Sequence, residues 1–99
     1  MWYNIFAMRL KHLVSSLDKV QGLQNVRELP ADDVLVFHNI SDGDTFHNRN
    51  CMIPFDMAFL NNENEFIKVI QIYPDENLEV RVPGGTRTVL EANLNFFKN

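Results

Sequence analysis

Cysteine is nearly absent from this 99-residue chain: Cys51 stands alone, so no disulfide can form within it and no cysteine-built zinc site is possible. Glycine and proline are sparse at four each, which excludes collagen-like and Gly/Pro-rich low-complexity architectures. No apolar run approaches the roughly 18 residues needed to span a bilayer, so no membrane partner is expected. An excess of positive charge is also missing. Nine Lys and Arg are scattered among thirteen Asp and Glu, for a formal net charge of -4. Phosphate recognition needs clustered cations, and the longest basic cluster, Arg9-Lys11-His12, is too short to bind nucleic acid. The beginning, Met1 to Arg9, has no basic start, long apolar stretch or small-residue cleavage site, and a cytoplasmic location is the expectation. His12, His38 and His47 lack zinc-ligand spacing, so neither metal nor cofactor is expected.

Phenylalanine is abundant. Eight of them, in a composition that is 45% hydrophobic, allow a short chain to build one core without staples, and a single domain over residues 1–99 follows.

The apolar pattern divides the chain into short elements. Residues 2–14 fit either a strand or a helix, with a strand favoured over Ile5–Leu13. Ser15-Ser16 before Leu17-Asp18 has the form of a helix start, and Leu17, Val20 and Leu23 supply an apolar stripe, predicting the main helix at about residues 16–25. Val34-Leu35-Val36-Phe37 is a continuous apolar run that predicts a strand buried on both faces. His38 to Thr45 is a polar loop. Phe55, Met57 and Phe59 alternate with Asp56, Ala58 and Leu60 in a central strand; Asn61-Asn62-Glu63-Asn64 turns, and Phe66 to Tyr73 returns as a hairpin. Lys68 is expected to share a face with Phe66 and Ile70. Strands at Leu78–Val82 and Thr86–Glu91 follow, and Asn93 is placed to cap a short turn through Phe96-Phe97. The fold class predicted is α+β, mainly β: a small antiparallel barrel-like or curled sheet with one main helix.

Two stretches carry a family pattern. One combines Gln21-Gly22-Leu23-Gln24, Arg27-Glu28-Leu29-Pro30 and Val34 to Phe37. The other runs Phe46-His47-Asn48-Arg49-Asn50 and then Ile53-Pro54-Phe55-Asp56-Met57-Ala58-Phe59-Leu60. With Val89-Leu90-Glu91 near the end, these blocks resemble the DUF192 family, a domain family of unknown function. The chain departs from that family's usual residues at His47, Asn48, Cys51, Gln24 and Asn95, and it is expected to be a short intracellular version without the usual C-terminal strand. The resemblance implies a mainly β fold and no established reaction.

Candidate site residues are Arg49, Asn50, Asp56 and Glu91, with His47 nearby. As a ligand-binding cluster they offer a guanidinium fork for a small anionic ligand, an amide to orient it, and carboxylates to accept a proton or hydrogen bond. As structural residues, Arg49 pairs with Asp56 or Glu91 and Asn50 fixes a loop, and this reading takes precedence because a buried carboxylate requires a partner. A Cys51–His47 nucleophile and a calcium loop at Asp42-Gly43-Asp44 are weaker candidates. No catalytic residue is assigned. The function expected is a non-enzymatic interaction module that joins a protein assembly or self-associates through an open sheet edge. The alternatives are an anion binder and a small virus-encoded regulator of a partner enzyme.

Overall fold

The computed structural model describes residues 8–13, 23–24, 26–74, 76 and 78–97. Seven strands are formed there: β1 (Arg9–Leu13), β2 (Asp33–Phe37), β3 (Thr45–His47), β4 (Phe55–Leu60), β5 (Phe66–Ile72), β6 (Glu79–Arg81) and β7 (Thr88–Asn93). Five make one sheet in the order β1-β2-β7-β4-β5, and β3 and β6 make a separate two-stranded ribbon. The apolar runs of β2 and β4 follow from this order. Both lie inside the sheet and are buried at every position, which favours residues apolar on both faces; the exceptions are Asp33, held by Arg9, and Asp56, which accepts the Phe97 amide.

The two faces of the sheet carry different cores. One presents Leu35 and Phe37 of β2, Val89 of β7, and Phe55, Met57 and Phe59 of β4, and is covered by the ribbon and by the segments carrying Leu23, Leu29 and Ile40. The other presents Val34, Val36, Ala58, Leu60 and Ala92 beneath Phe97 of the terminal turn. Small side chains at Ala58 and Ala92 make room there for the phenylalanine ring.

The fold class departs from the expectation. The described residues contain strands and no helix, so they are all-β rather than α+β with a main helix. Most of the predicted helix, residues 16–22 and 25, lies outside the described residues. Its other two positions are not helical: Leu23 is in a turn, and Gln24 forms an antiparallel bridge with Cys51. Nor is the sheet a closed antiparallel barrel. β1 runs parallel to β2, and among the described residues β1 and β5 are its two edges. Parallel pairing needs a crossover connection, and the intervening chain supplies enough residues for one.

Other expectations fare unevenly. The β4–β5 hairpin forms, and Asn64 adopts φ 61 in its turn, as a left-handed-tolerant residue should. A register shift at Phe59/Leu60 leaves Ile67 as an extra residue in β5. Phe66 is thereby paired with Leu60 and packs against Phe97 with ring centroids 5.8 Å apart, while Lys68 faces the opposite side with Phe59. Strand β3 was not foreseen. The Asn93 side chain does not cap the final turn; its amide donates to the carbonyls of Leu29 and Pro30 at 2.6 and 3.1 Å. The acceptor at that turn is Asp56, whose Oδ2 takes the Phe97 amide at 3.2 Å.

Candidate functional site

The four residues singled out from the sequence do not converge. Arg49 and Asn50 occupy an exposed turn between β3 and β4, where Asn50 takes φ 60 and the Arg49 amide donates to His47 Nδ1 at 3.2 Å. The Arg49 guanidinium makes no ion pair with the described residues. Asp56 and Glu91 are both buried, but the register sends them to opposite faces of the sheet. Asp56 pairs with Ala92, whereas Glu91 pairs with Met57 on one side and Leu35 on the other. The last strand does lie beside the central one, as supposed, yet it is offset by one residue from the register that would bring these carboxylates together.

Each carboxylate has its own character. Asp56 is 2% exposed; one oxygen holds the Phe97 amide and Oδ1 has no partner among the described residues. Glu91 is 4% exposed and sits between Leu35 and Met57 in the larger core, its carboxyl without a hydrogen bond or ion pair to the described residues. Burial disfavours its charged form and pushes its carboxyl up to about 8. Loss of water likewise pushes the Cys51 thiol up to about 11, with the Glu91 charge adding to the effect. A thiol in that state is a poor nucleophile, and His47 faces the Arg49 amide, so the structure offers no activated Cys51–His47 pair.

The polar residue that organises this region is Asn48. Its amide donates to the Tyr73 carbonyl at 2.9 Å, and its carbonyl oxygen accepts from the Leu78 amide at 2.7 Å. It thus ties the β3–β4 connection to both ends of the β5–β6 connection. The recess under the ribbon, lined by Phe46, Phe55, Met57, Ile72, Leu78 and Val80, measures about 170 Å³ with its open mouth and is too narrow for a water molecule. Asp42, one arm of the suspected calcium loop, is committed instead to Arg87 Nη1 and the Gly85 amide, both at 2.9 Å. The Arg87 hydrogen bond, followed by that of Gly85, holds its carboxyl below the usual range.

The two sheet edges are chemically unlike. β1 carries Arg9, Lys11 and His12, and Asp33 of β2 accepts from Arg9 Nε at 2.6 Å and lies 3.3 Å from Lys11 Nζ. The Arg9 hydrogen bond is the main reason the Asp33 carboxyl lies below its ordinary value. β5 has one charge, Lys68, and no acid. Beside it Phe66, Ile67 and Tyr73 are 37%, 41% and 39% exposed. Sequence patterning had marked β5 as a strand; its place at an edge depends on the order of the whole sheet.

Among the described residues no helix is long and apolar enough to cross a membrane, and no group of three or more metal-ligating side chains forms. No curated protein matches the chain. A crystal structure of a protein of unknown function from Novosphingobium aromaticivorans is 26% identical with TM-score 0.78, the match covering 87% of this chain and 63% of that one. A putative transcription regulator from Sinorhizobium meliloti shares the fold with TM-score 0.83 at 19% identity, over 92% of this chain and 72% of that one. The chain therefore spans less than two thirds of the Novosphingobium protein. The model of the DUF192 family, described as an uncharacterized ACR, matches residues 6–99, and the chain belongs to that family.

Proposed function

We infer that the chain is a non-enzymatic interaction module that self-associates by pairing β5 with β5 of a second copy. The contrast between the two edges carries this reading. An unpaired edge strand exposes a row of backbone donors and acceptors, and charged side chains are the usual means of discouraging pairing there. β1 has such charges and β5 nearly lacks them. The bulge at Ile67 turns the start of β5 aside and leaves Lys68 to Ile72 as the regular stretch. A two-fold axis at Ile70 would set Lys68 opposite Ile72 and Val69 opposite Gln71, so that no like charges meet. None of the chain's thirteen acidic residues lies in β5, so the negative charge of the whole molecule is kept out of the strand.

Five paired residues make a small interface, at the weak end of the range for specific complexes. Sedimentation velocity over a concentration series is the test. The expected result is a reversible monomer–dimer equilibrium that Val69→Lys combined with Gln71→Lys, which sets like charges opposite each other across the two-fold, shifts to monomer, with the circular dichroism spectrum unchanged. A wild-type chain that stays monomeric up to about 1 mM, equivalent to a dimerisation energy weaker than about 4 kcal/mol, would overturn the reading. The anion-binding alternative has less support, because Asp56 and Glu91 face opposite ways and Arg49 stands apart from both.

A further inference from the structure

The sequence separates His12 from His38 by 26 positions, and parallel pairing brings them together. His12 stands opposite Val36 on β1, so a residue two further along the neighbouring chain lies diagonally across on the same face; that residue is His38. His12 Nδ1 is 2.6 Å from His38 Nε2, with the ring centroids 4.9 Å apart and the planes within 15° of parallel. The nitrogen contact plus one ring radius at each end accounts for the whole centroid distance. The rings therefore meet edge to edge, with two nitrogens aimed at one point rather than face stacked on face. Such a contact requires one nitrogen to donate and the other to accept.

We propose that His12 and His38 form a two-imidazole chelate for a divalent transition metal, with Cu(II) held most tightly. In the contact between two neutral rings one nitrogen carries its ring's N–H proton; tautomerisation moves that proton to the same ring's other nitrogen and leaves two converging lone pairs for a metal. The donor set selects the metal class. Two nitrogens without carboxylate oxygens do not suit Ca²⁺ or Mg²⁺, and structural Zn²⁺ sites draw four ligands from the protein. Distance makes a further selection. With metal–nitrogen bonds of about 2.0–2.1 Å, two adjacent nitrogens lie about 2.9 Å apart at a right angle and about 3.3 Å apart at a tetrahedral one. The pair at 2.6 Å needs a smaller opening for the tetragonal geometry of Cu(II) or Ni(II) than for tetrahedral zinc. Each ring must also swing so that both lone pairs point to one side. His12 is exposed and His38 half-buried, which leaves both room to turn. Water fills the remaining coordination positions. A bound metal would clip edge strand β1 to β2 beyond the hold supplied by Arg9, Lys11 and Asp33.

Titrating the full chain with Cu(II) chloride in a non-chelating buffer tests this, with calorimetry for affinity and electron paramagnetic resonance for ligand identity. The expected result is one tight equivalent whose hyperfine pattern requires at least two imidazole nitrogens, with weaker Ni(II) and still weaker Zn(II) binding. His12→Ala and His38→Ala should each weaken Cu(II) binding at least tenfold, while His47→Ala leaves it unchanged. The melting temperature should rise with Cu(II) in the wild type and not in the double variant His12→Ala/His38→Ala. Retained affinity in both single variants, as for copper held by the chain's amino terminus, would overturn the assignment. Zinc binding as tight as copper would overturn its geometric basis.

Discussion

Replacing Glu91 by Gln should make the chain more stable, and by an amount that grows with pH. In the folded state the Glu91 carboxyl is raised from an ordinary 4.5 to about 8 by burial. Between those values the folded chain holds a proton that the unfolded chain has released, so stability must fall as pH rises. The slope from this one group is about 1.4 kcal/mol per pH unit, and across about 3.5 units it accumulates to roughly 4–5 kcal/mol. Domains of this size have only about 5–15 kcal/mol in total. Above about pH 8 Glu91 is ionised in both states and the loss is complete. Asp33 and Asp42 work in the opposite sense at lower pH. Their folded values are depressed, so their contributions are present above the ordinary carboxylate range and are lost on acidification. Glu91→Gln keeps the shape and cannot ionise. Urea unfolding followed by far-ultraviolet circular dichroism at pH 5, 6, 7 and 8 should show a falling wild-type curve and a flatter variant curve, the gap widest at pH 8. Carbon-13 titration of the Glu91 carboxyl in the wild type gives an independent reading. Equal slopes in the two proteins, together with a carboxyl titrating near 4.5, would refute the reasoning.

Asn48→Ala removes an acceptor from the Leu78 amide and a donor from the Tyr73 carbonyl, and should cost about 2–3 kcal/mol in urea unfolding at constant pH. Asp56→Ala deprives the Phe97 amide of its acceptor, and faster hydrogen exchange at that amide should report fraying of the terminal turn. With its thiol pushed up to about 11, Cys51 should react with a disulfide reagent at pH 8 roughly two orders of magnitude more slowly than in the urea-unfolded chain. Asn64→Gly should leave stability within about 1 kcal/mol, whereas Asn64→Val should lose more, because φ 61 penalises a β-branched residue.

Local pattern made the buried strands and the central hairpin legible. Val34 to Phe37 and Phe55 to Leu60 declare their burial through their own side chains, and Asn64 declares the turn. Relations between distant strands were not legible in the same way. Side chains in a strand alternate with period two, so a one-residue difference in the alignment of β4 and β7 decides whether Glu91 joins Asp56 or opposes it. The bulge at Ile67 is a similar case: one unpaired residue moved Phe66 to the face opposite Lys68. The family pattern marks Asp56 and Glu91, but it does not distinguish an acid that holds a turn from one enclosed among Leu35 and Met57. Asn48 looked like a mere departure from the family pattern, and its role emerges only when residues 73 and 78 are brought beside it. The histidine pair has no linear signature, since parallel strands far apart in the chain create it.

Isotope-filtered nuclear magnetic resonance on an equal mixture of labelled and unlabelled chain tests the self-pairing of β5 most directly. The account predicts intermolecular contacts between backbone protons of β5 in one copy and β5 in the other, centred on Ile70, with Val69 near Gln71 and Lys68 near Ile72 of the partner copy. Protection of the outward-facing amides of β5 should increase with concentration. Intermolecular contacts confined to another surface, or their absence at concentrations near 1 mM (a dimerisation energy weaker than about 4 kcal/mol), would contradict it.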